Sequence, residues 1–375
     1  MSVSQNSATF FKTYPTDSAA SSVFLEQLND GSFIIVSSEG SGRPLITKTD
    51  RYGNFIWAKT IQKYYLSMVK FFNVFSTQNA GLLVGQADGM FTIFDTSGDI
   101  VHTINLSSNS TNFAAMIPFG SDFVVSSCSG RITAPPSANN IYVLGQDLTQ
   151  KNLFNFTDTR IGGTTLDFFV NTITPAGDYI IAGDKFPLNN GLSLNFKLFV
   201  ARIPVAGKVI ETIIDSSDQT HSDFLIQQIS TNDSGMVLLS QRADNVSNIS
   251  YPVVIKVDKN LKVSEKEFKV NYGSVPSKIS PCRDGGFIIS GSIFNTGFNP
   301  TLGFVNYQPY AFKIDSNGNQ QWGKTFSSNE GIGSFYSGIE LNDGSFAFVG
   351  STSQFGNRLN GTRILFVKTN ANGNL

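Results

Sequence analysis

The sequence predicts an all-β fold: a single seven-bladed β-propeller with four-stranded antiparallel blades, closed by an N-terminal strand that completes the last blade. Three observations lead to this prediction. A turn followed by a short apolar strand recurs seven times, a second hairpin follows each copy, and the strand that the last repeat lacks is present at the start of the chain. A repeat of this kind is typical of propellers.

The first signature is a turn rich in Asp, Asn and Gly, followed by one large apolar residue and two or three aliphatic residues. Asp30-Gly-Ser-Phe33 and Asp343-Gly-Ser-Phe346 begin two of its copies. The large residue recurs about every 41 to 59 residues, which is the length of one propeller blade. Because Leu and Met replace the aromatic residue in some copies, we interpret this column as packing between blades rather than as a stacking platform. Its members are Phe33, Leu82, Phe123, Tyr179, Met236, Phe287 and Phe346.

A second hairpin follows each copy, as in Ala311-Phe-Lys-Ile-Asp315-Ser-Asn-Gly318. Asp and Asn side chains bond to nearby backbone and Gly allows positive φ, so these residues mark a tight turn. Two hairpins per repeat give four strands, which we letter a to d from the centre outward. Asp315 to Asn319 also has the alternating oxygens of a calcium loop, but it lacks the distal bidentate acid, and other repeats have Pro204 or Asn370 in its place. We therefore expect a turn there and no metal.

The two ends of the chain complement each other. The last repeat stops at Asn372-Gly-Asn-Leu375, after its c-to-d turn, and so lacks strand d. Thr9 to Tyr14 aligns with the d strands Gln321 to Phe326 and Ile56 to Ile61. Pairing of this segment with the last repeat would remove the free ends of an open array. The predicted domain is residues 1–375, with blades at about 20–61, 66–106, 113–157, 165–214, 222–270, 276–326 and 335–375 plus strand 8–14.

The repeat resembles the degenerate propeller repeats common in bacterial secreted and surface proteins. The matching segments are Asp284-Gly-Gly-Phe-Ile-Ile-Ser-Gly-Ser292 and Lys313-Ile-Asp-Ser-Asn-Gly-Asn-Gln-Gln-Trp-Gly-Lys-Thr325. The Gly-His and Trp-Asp pairs of WD40 repeats are absent, and the paired glycines of kelch repeats do not recur at their proper place. The resemblance spans nearly the whole chain and implies a platform, without implying a reaction.

Composition excludes several classes of function. The chain has 27 Lys and Arg against 28 Asp and Glu, a net charge of −1, which argues against a nucleic-acid partner or a polybasic membrane contact. Two Cys and two His exclude a disulfide framework, a zinc site built from Cys and His, and a three-His metal centre. No apolar run approaches the ~18 residues of a membrane-spanning helix, and the N-terminal segment has no leader pattern. We expect no cofactor, no nucleic-acid partner and no membrane span.

The isolated His and Cys residues favour structural roles. His102 lies in a predicted d strand and His221 in a predicted d-to-a loop, and neither is near a nucleophile motif. Cys128 and Cys282 belong to different blades, so we expect two small buried thiols. We find no catalytic constellation and predict that the chain is not an enzyme.

The connections from strand b to c and from d to a are long, whereas the other turns are short. In a propeller these two sets of connections lie on opposite faces. Loops on a rigid scaffold commonly carry binding residues, and aromatic and Arg side chains dominate interface energetics. The alternative is that these aromatics pack over the blade ends as a satellite core. The candidate binding residues are Phe294, Phe298, Tyr307, Tyr310, Phe186, Arg131, Phe355 and Arg358.

These features predict a non-catalytic binding or scaffold propeller that docks a protein partner through its loop-rich face, within a bacterial surface, secretion or phage-like assembly. The alternative is a glycan-binding propeller, in which exposed Tyr and Phe stack on sugars. A third hypothesis is a glycoside-processing enzyme with two carboxylates near the channel, for which Asp178, Asp184 and Glu340 are candidates. The location would be extracellular or the cell surface if a leader was removed, and otherwise the cytoplasm or a particle.

Overall fold

The computed structural model consists of β-strands joined by turns and loops. It describes residues 9–14, 20–39, 43–60, 71–76, 82–86, 90–95, 97–106, 112–119, 121–128, 139–156, 164–173, 178–186, 197–203, 210–214, 221–231, 235–244, 246–247, 249–270, 273–294, 307–326, 333–353 and 363–375. The strands are, in chain order, β1 (Phe10–Tyr14), β2 (Ala20–Gln27), β3 (Phe33–Glu39), β4 (Arg43–Thr49), β5 (Phe55–Thr60), β6 (Phe71–Ser76), β7 (Leu82–Gln86), β8 (Met90–Phe94), β9 (Ile100–Asn105), β10 (Asn112–Phe119), β11 (Asp122–Cys128), β12 (Asn139–Leu144), β13 (Gln150–Phe156), β14 (Thr164–Ile173), β15 (Tyr179–Phe186), β16 (Lys197–Ile203), β17 (Ile210–Ile214), β18 (His221–Ser230), β19 (Met236–Asp244), β20 (Ile249–Val257), β21 (Val263–Glu267), β22 (Ser274–Pro281), β23 (Phe287–Phe294), β24 (Tyr307–Ile314), β25 (Gln320–Thr325), β26 (Gly333–Glu340), β27 (Phe346–Thr352) and β28 (Arg363–Thr369).

Consecutive strands pair into four-stranded sheets. Within the described ranges there are seven sheets: β2 to β5, β6 to β9, β10 to β13, β14 to β17, β18 to β21, β22 to β25, and β26 to β28 with β1. In the last of these, β1 runs antiparallel to β28, with Phe10 opposite Lys368 and Tyr14 opposite Ile364. Apart from β1, strands that are neighbours in the chain pair antiparallel within each sheet, which gives this simple up-and-down order.

The structure corrects the expectation of a single seven-bladed propeller. The chain divides into two compact units, one of residues 1–68, 249–252 and 266–375 and the other of residues 69–248 and 253–265. The first unit holds three sheets, and the second holds four except for a few residues of β20 and β21. Neither unit contains seven blades. The repeats predict how many hairpins form, because turn chemistry is local, but the grouping of sheets depends on side-chain packing that the repeats do not encode. The predicted blade boundaries stay predictions.

In the described chain, five outer turns are each organised by one carboxylate or amide side chain, at Asp50, Asp95, Asp258, Asp315 and Asn370. The backbone N–H groups of Tyr52 and Asn54 both donate to Asp50 Oδ1 at 2.8 Å. Asp315 and Asn370 accept the same pair of bonds in their own turns. Hydrogen bonds to the charged form stabilise it, and bonds from Asn54 and Tyr52 hold the Asp50 pKa below its usual range although burial opposes them. The calcium-loop pattern at Asp315 is therefore a turn.

Two outer turns place Leu where the others place Gly. Gly53 and Gly318 have φ of 71° and 81°, and Leu148 and Leu261 have φ of 63° and 65° at the equivalent point. Left-handed backbone costs a Leu residue about 1–2 kcal/mol. Both Leu side chains are buried, so apolar burial offsets the strain.

In the first unit, the outermost strand of one sheet packs on the outer turn of another. The Tyr14 hydroxyl donates to the Gly53 carbonyl at 2.6 Å, and Lys12 Nζ donates to Asn54 Oδ1 at 2.7 Å. Lys266 of β21 makes the matching bond to Asn319 Oδ1, also at 2.7 Å. Burial raises the pKa of Tyr14, so its hydroxyl stays a donor throughout the ordinary pH range.

Apolar clusters fill the spaces between sheets of this unit. Phe366 of the last sheet meets Phe10 and Phe33 edge-on, at centroid separations of 4.9 and 5.0 Å. A second cluster joins the sixth and last sheets through Phe326, Phe335 and Phe348. The recurring large residue of the first signature is buried wherever its side chain is described, in agreement with packing.

The close approach of the Phe10 ring to Gly53 leads to a prediction about stability. A Cβ added at Gly53 would lie 2.7 Å from the Phe10 ring, whereas at Gly31, which also has positive φ, the nearest atom would be 3.6 Å away. We expect Gly53→Ala to destabilise the protein by about 2–4 kcal/mol and Gly31→Ala by about 1–2 kcal/mol, because only the first adds a clash to the backbone strain. Urea unfolding of both variants tests this, and equal losses would contradict the packing of Phe10 on Gly53.

Candidate functional site

The leading candidate residues lie at one end of the hairpin formed by β23 and β24. Phe294 is the last residue of β23 and stands opposite Tyr307, the first residue of β24. Their ring centroids are 5.8 Å apart, and both side chains are half-buried. The hairpin therefore ends in an aromatic pair that flanks the segment 295–306.

Neighbouring connections adjoin this aromatic pair. The Phe294 N–H donates to the Gly273 carbonyl at 3.0 Å, and Gly273 lies in the d-to-a connection before β22. A Cβ at Gly273 would lie 3.3 Å from the Phe294 ring and 3.0 Å from the Ser250 carbonyl of β20. The b-to-c hairpin ends of the fifth and sixth sheets thus meet at a d-to-a connection. We call Phe294, Tyr307, Gly273 and Ser250 the hairpin-end surface.

Tyr310 is half-buried, like Phe294 and Tyr307, and packs against its own sheet. Its ring stacks on Phe312 at a centroid separation of 5.5 Å, and Phe312 lies 5.0 Å from the Phe268 ring. A Cβ at Gly323 would lie 2.9 Å from the Tyr310 hydroxyl, so the ring covers the neighbouring strand. Burial raises the pKa of Tyr310. The packing of Tyr310 on Phe312 agrees with the alternative in which these aromatic residues form a satellite core.

The other candidate residues stay predictions. Phe186 ends β15, opposite Thr164 of β14. Four candidates lie outside the described residues: Arg131, Phe298, Phe355 and Arg358.

Glu340, one of the three carboxylates considered for glycoside chemistry, lies in a contact between sheets. Glu340 accepts bonds from the Arg283 backbone N–H at 2.7 Å and from its guanidinium at 3.1 Å. Asp184 stands in β15 opposite Asp167 of β14, and Asp178 precedes β15. Glu340 therefore serves a contact between the sixth and last sheets.

The side chains of Cys282, His221 and His102, which could act as nucleophile or base, lie in separate parts of the described structure. Cys282 is buried, and burial, reinforced by Glu340, raises its pKa to about 12, so it is a poor nucleophile. His221 is the first residue of β18 rather than part of a loop, with its Nε2 4.0 Å from an Asp244 carboxylate oxygen. His102 is exposed in β9. Among the described residues, no group of three His, Cys, Asp or Glu side chains could hold a metal ion.

Arg242 forms a buried ion network that the sequence did not reveal. Its Nε and one terminal nitrogen donate to the two Asp223 oxygens at 2.8 and 3.0 Å. Its terminal nitrogens also donate to the Glu265 carboxylate, both at 3.0 Å. The side chains of Arg242 and Asp223 are only 4% and 2% exposed, whereas that of Glu265 is 40% exposed. The network ties strands β18, β19 and β21 of one sheet together.

Lys278 is a second ionisable group in an unusual setting. It follows a β-bulge in β22, and every innermost strand of the described sheets carries such a bulge. Its Nζ lies 4.9 Å from the Phe24 ring centroid on the innermost strand of the first sheet. Burial lowers the pKa of Lys278 to about 8, although Glu26 opposes this shift. Because bulges depend on the pairing of two strands, turn patterns alone could not have predicted this position.

The chain resembles several solved structures despite low identity. They include Raptor from Chaetomium thermophilum, with a TM-score of 0.58 and 9% identity over 96% of this chain and 28% of that one. The Dos1 propeller matches with a TM-score of 0.53 and 10% identity, over 96% of this chain and 95% of that one. BBS1N, solved in complex with ARL6DN, matches with a TM-score of 0.55 and 12% identity, over 96% and 95% of the two chains.

These likenesses show the fold class alone, an all-β propeller. This chain spans less than a third of the length of Raptor. No protein-family model and no curated protein matches the sequence. Nor does the described part of the chain contain a helix with the length and apolarity of a membrane span.

Arg242 supports a prediction about stability. Arg242→Met leaves the buried Asp223 carboxylate without the guanidinium, and breaking such a pair costs about 3–5 kcal/mol. Glu265→Gln should cost less, about 1 kcal/mol, because Glu265 is substantially exposed. We expect the double variant Arg242→Met/Asp223→Leu to recover much of the loss, since it removes both buried charges. Denaturant unfolding measures all three, and a double variant no more stable than Arg242→Met would contradict this account.

The lowered pKa of Lys278 predicts a pH dependence. The unfolded chain holds the proton more tightly than the folded chain between pH 8 and the ordinary lysine value of 10.5, so wild-type stability should rise through this window. Lys278→Met should be more stable than the wild type at pH 7, and this advantage should shrink as the pH approaches 10.5. Lys324→Met on β25 controls for removal of one charge. If the free energies of unfolding of the wild type and Lys278→Met changed with pH in parallel, the lowering of the Lys278 pKa by burial would be contradicted.

Proposed function

We propose that this chain is a non-catalytic propeller that docks a protein partner through its loop-rich face, with the hairpin-end surface as part of the contact. The observation that carries the proposal is the half-buried pair Phe294 and Tyr307 at the end of a rigid hairpin. Aromatic side chains bury large areas at low entropic cost, and they are enriched at the centres of protein interfaces.

The surroundings of the pair support binding rather than chemistry. Strand pairing runs up to Phe294 and Tyr307, so the ends of both strands fix the backbone under each ring. The Phe294 N–H bond to Gly273 and the close approach of Ser250 add support from the neighbouring sheet. A preorganised aromatic pair loses little conformational freedom when a partner binds.

The comparisons support the class of the proposal. BBS1N was solved in complex with another protein, ARL6DN, and its fold resembles that of this chain at 12% identity. A bacterial origin, the likeness to degenerate secreted repeats, and a setting in a surface, secretion or phage-like assembly stay predictions. The absence of catalytic activity also stays a prediction.

The test is capture of a partner from the source cells by cross-linking, with the intact wild-type chain and two variants compared quantitatively. Phe294→Ser/Tyr307→Ser should reduce recovery of the specific partner by at least about ten-fold, because it removes both aromatic anchors. Leu153→Ser is the matched control, since Leu153 is 39% exposed but lies on the outer strand β13 rather than in a connection of the loop-rich face. Its recovery should equal that of the wild type.

Two outcomes would contradict the proposal. Equal capture by the wild type and Phe294→Ser/Tyr307→Ser, with both chains folded by circular dichroism, would remove the hairpin-end surface from the interface. Selective binding to immobilised glycans, lost in the same variant, would replace the protein partner with a sugar.

A further inference from the structure

Two outer strands expose apolar residues where edge strands normally carry charge. β5 ends the first sheet and β9 ends the second within the described chain. Phe55 and Ile56 of β5 are 59% and 50% exposed, and Ile100 and Val101 of β9 are 55% and 64% exposed. Such edges readily pair with another chain, because their outer backbone groups are available for strand pairing.

Other outer strands have the expected protection. The four exposed residues of β21 are Ser264, Glu265, Lys266 and Glu267, and β25 opens with two exposed Gln residues. Exposed apolar pairs at the start of the strand therefore distinguish β5 and β9 from these two edges.

The two apolar edges carry opposite charge. Arg51 lies in the turn before β5 with its guanidinium 4.8 Å from the exposed Tyr52 ring, and Lys59 lies within the strand. Asp95 and Asp99 flank the turn before β9. The turn before β5 also holds Asp50, so Asp50, Arg51 and Lys59 give the β5 edge a net charge of +1, whereas Asp95 and Asp99 give the β9 edge −2. Both apolar pairs begin their strands immediately after the turn.

We infer that β5 of one copy of this chain pairs with β9 of a second copy. In the parallel orientation Phe55 and Ile56 lie beside Ile100 and Val101, and the net positive β5 edge meets the net negative β9 edge. Both edges are exposed within one chain, so the contact joins two molecules. Pairing β5 with another β5 would instead bring together two edges of the same net charge.

This contact is heterologous, because it joins different surfaces of the two copies. A heterologous contact leaves one free β5 and one free β9 at the ends of each dimer, so it continues into a ring or an open chain. The inference concerns outer strand edges and is independent of the hairpin-end surface.

Sedimentation velocity on the intact protein tests the inference with two complementary variants. Phe55→Ser/Ile56→Ser removes the apolar part of one edge, and Ile100→Ser/Val101→Ser removes that of the other. We expect the wild type to form species larger than dimers as its concentration rises, and less so at high salt. Each variant alone should stay monomeric, whereas an equimolar mixture should form dimers and nothing larger, because each pair of molecules retains one intact β5 and one intact β9.

Charge reversal provides an independent arm of the test. Arg51→Glu should weaken association by at least about ten-fold at low salt, and combining it with Asp99→Lys should restore part of the association. Val246→Ser should have no effect. A monomeric wild type at millimolar concentration, association that survives both serine variants, or a mixture that stays monomeric would each overturn the inference. Circular dichroism and unchanged Tm values confirm that the variants are folded.

Discussion

The packing of an outermost strand on the outer turn of another sheet is the contact on which the first unit depends. Gly53 has room for the Phe10 ring only because it lacks a side chain, and its carbonyl accepts the Tyr14 hydroxyl. The same turn presents Asn54 to Lys12. A single four-stranded sheet leaves its apolar faces exposed to water. Its stability therefore depends on contacts with the neighbouring sheets.

Several buried cationic side chains are paired with carboxylates. Arg242 spans three strands through two carboxylates, and Lys313 and Lys368 lie inside their sheets, bonded to Asp284 and Asp343 of the inner turns. These pairs orient strands and turns. Aromatic and aliphatic side chains reach the surface instead at the hairpin ends and outer edges.

The sequence predicted local structure well where one residue dictates one conformation. Asp50, Asp315 and Asn370 marked outer turns because their side chains bond to backbone N–H groups two and four residues ahead. Leu148 and Leu261 take left-handed φ without any such signal, since their strain is offset by burial that only the folded chain provides. For the candidate site, the aromatic composition of 294–310 indicated Phe294 and Tyr307, but it could not separate them from Tyr310, whose ring packs on Phe312.

The sequence by itself determined the all-β class, the two hairpins of each repeat and the buried column of large apolar residues, because turn chemistry and strand alternation act over a few residues. Tertiary structure alone decided that the sheets form two compact units and that Arg242 meets Asp223 and Glu265. It also decided that Lys278 reaches the Phe24 ring across sheets and that β5 and β9 stay exposed. Each of these facts depends on contacts between residues far apart in the chain, and their energies depend on burial, which no local pattern specifies.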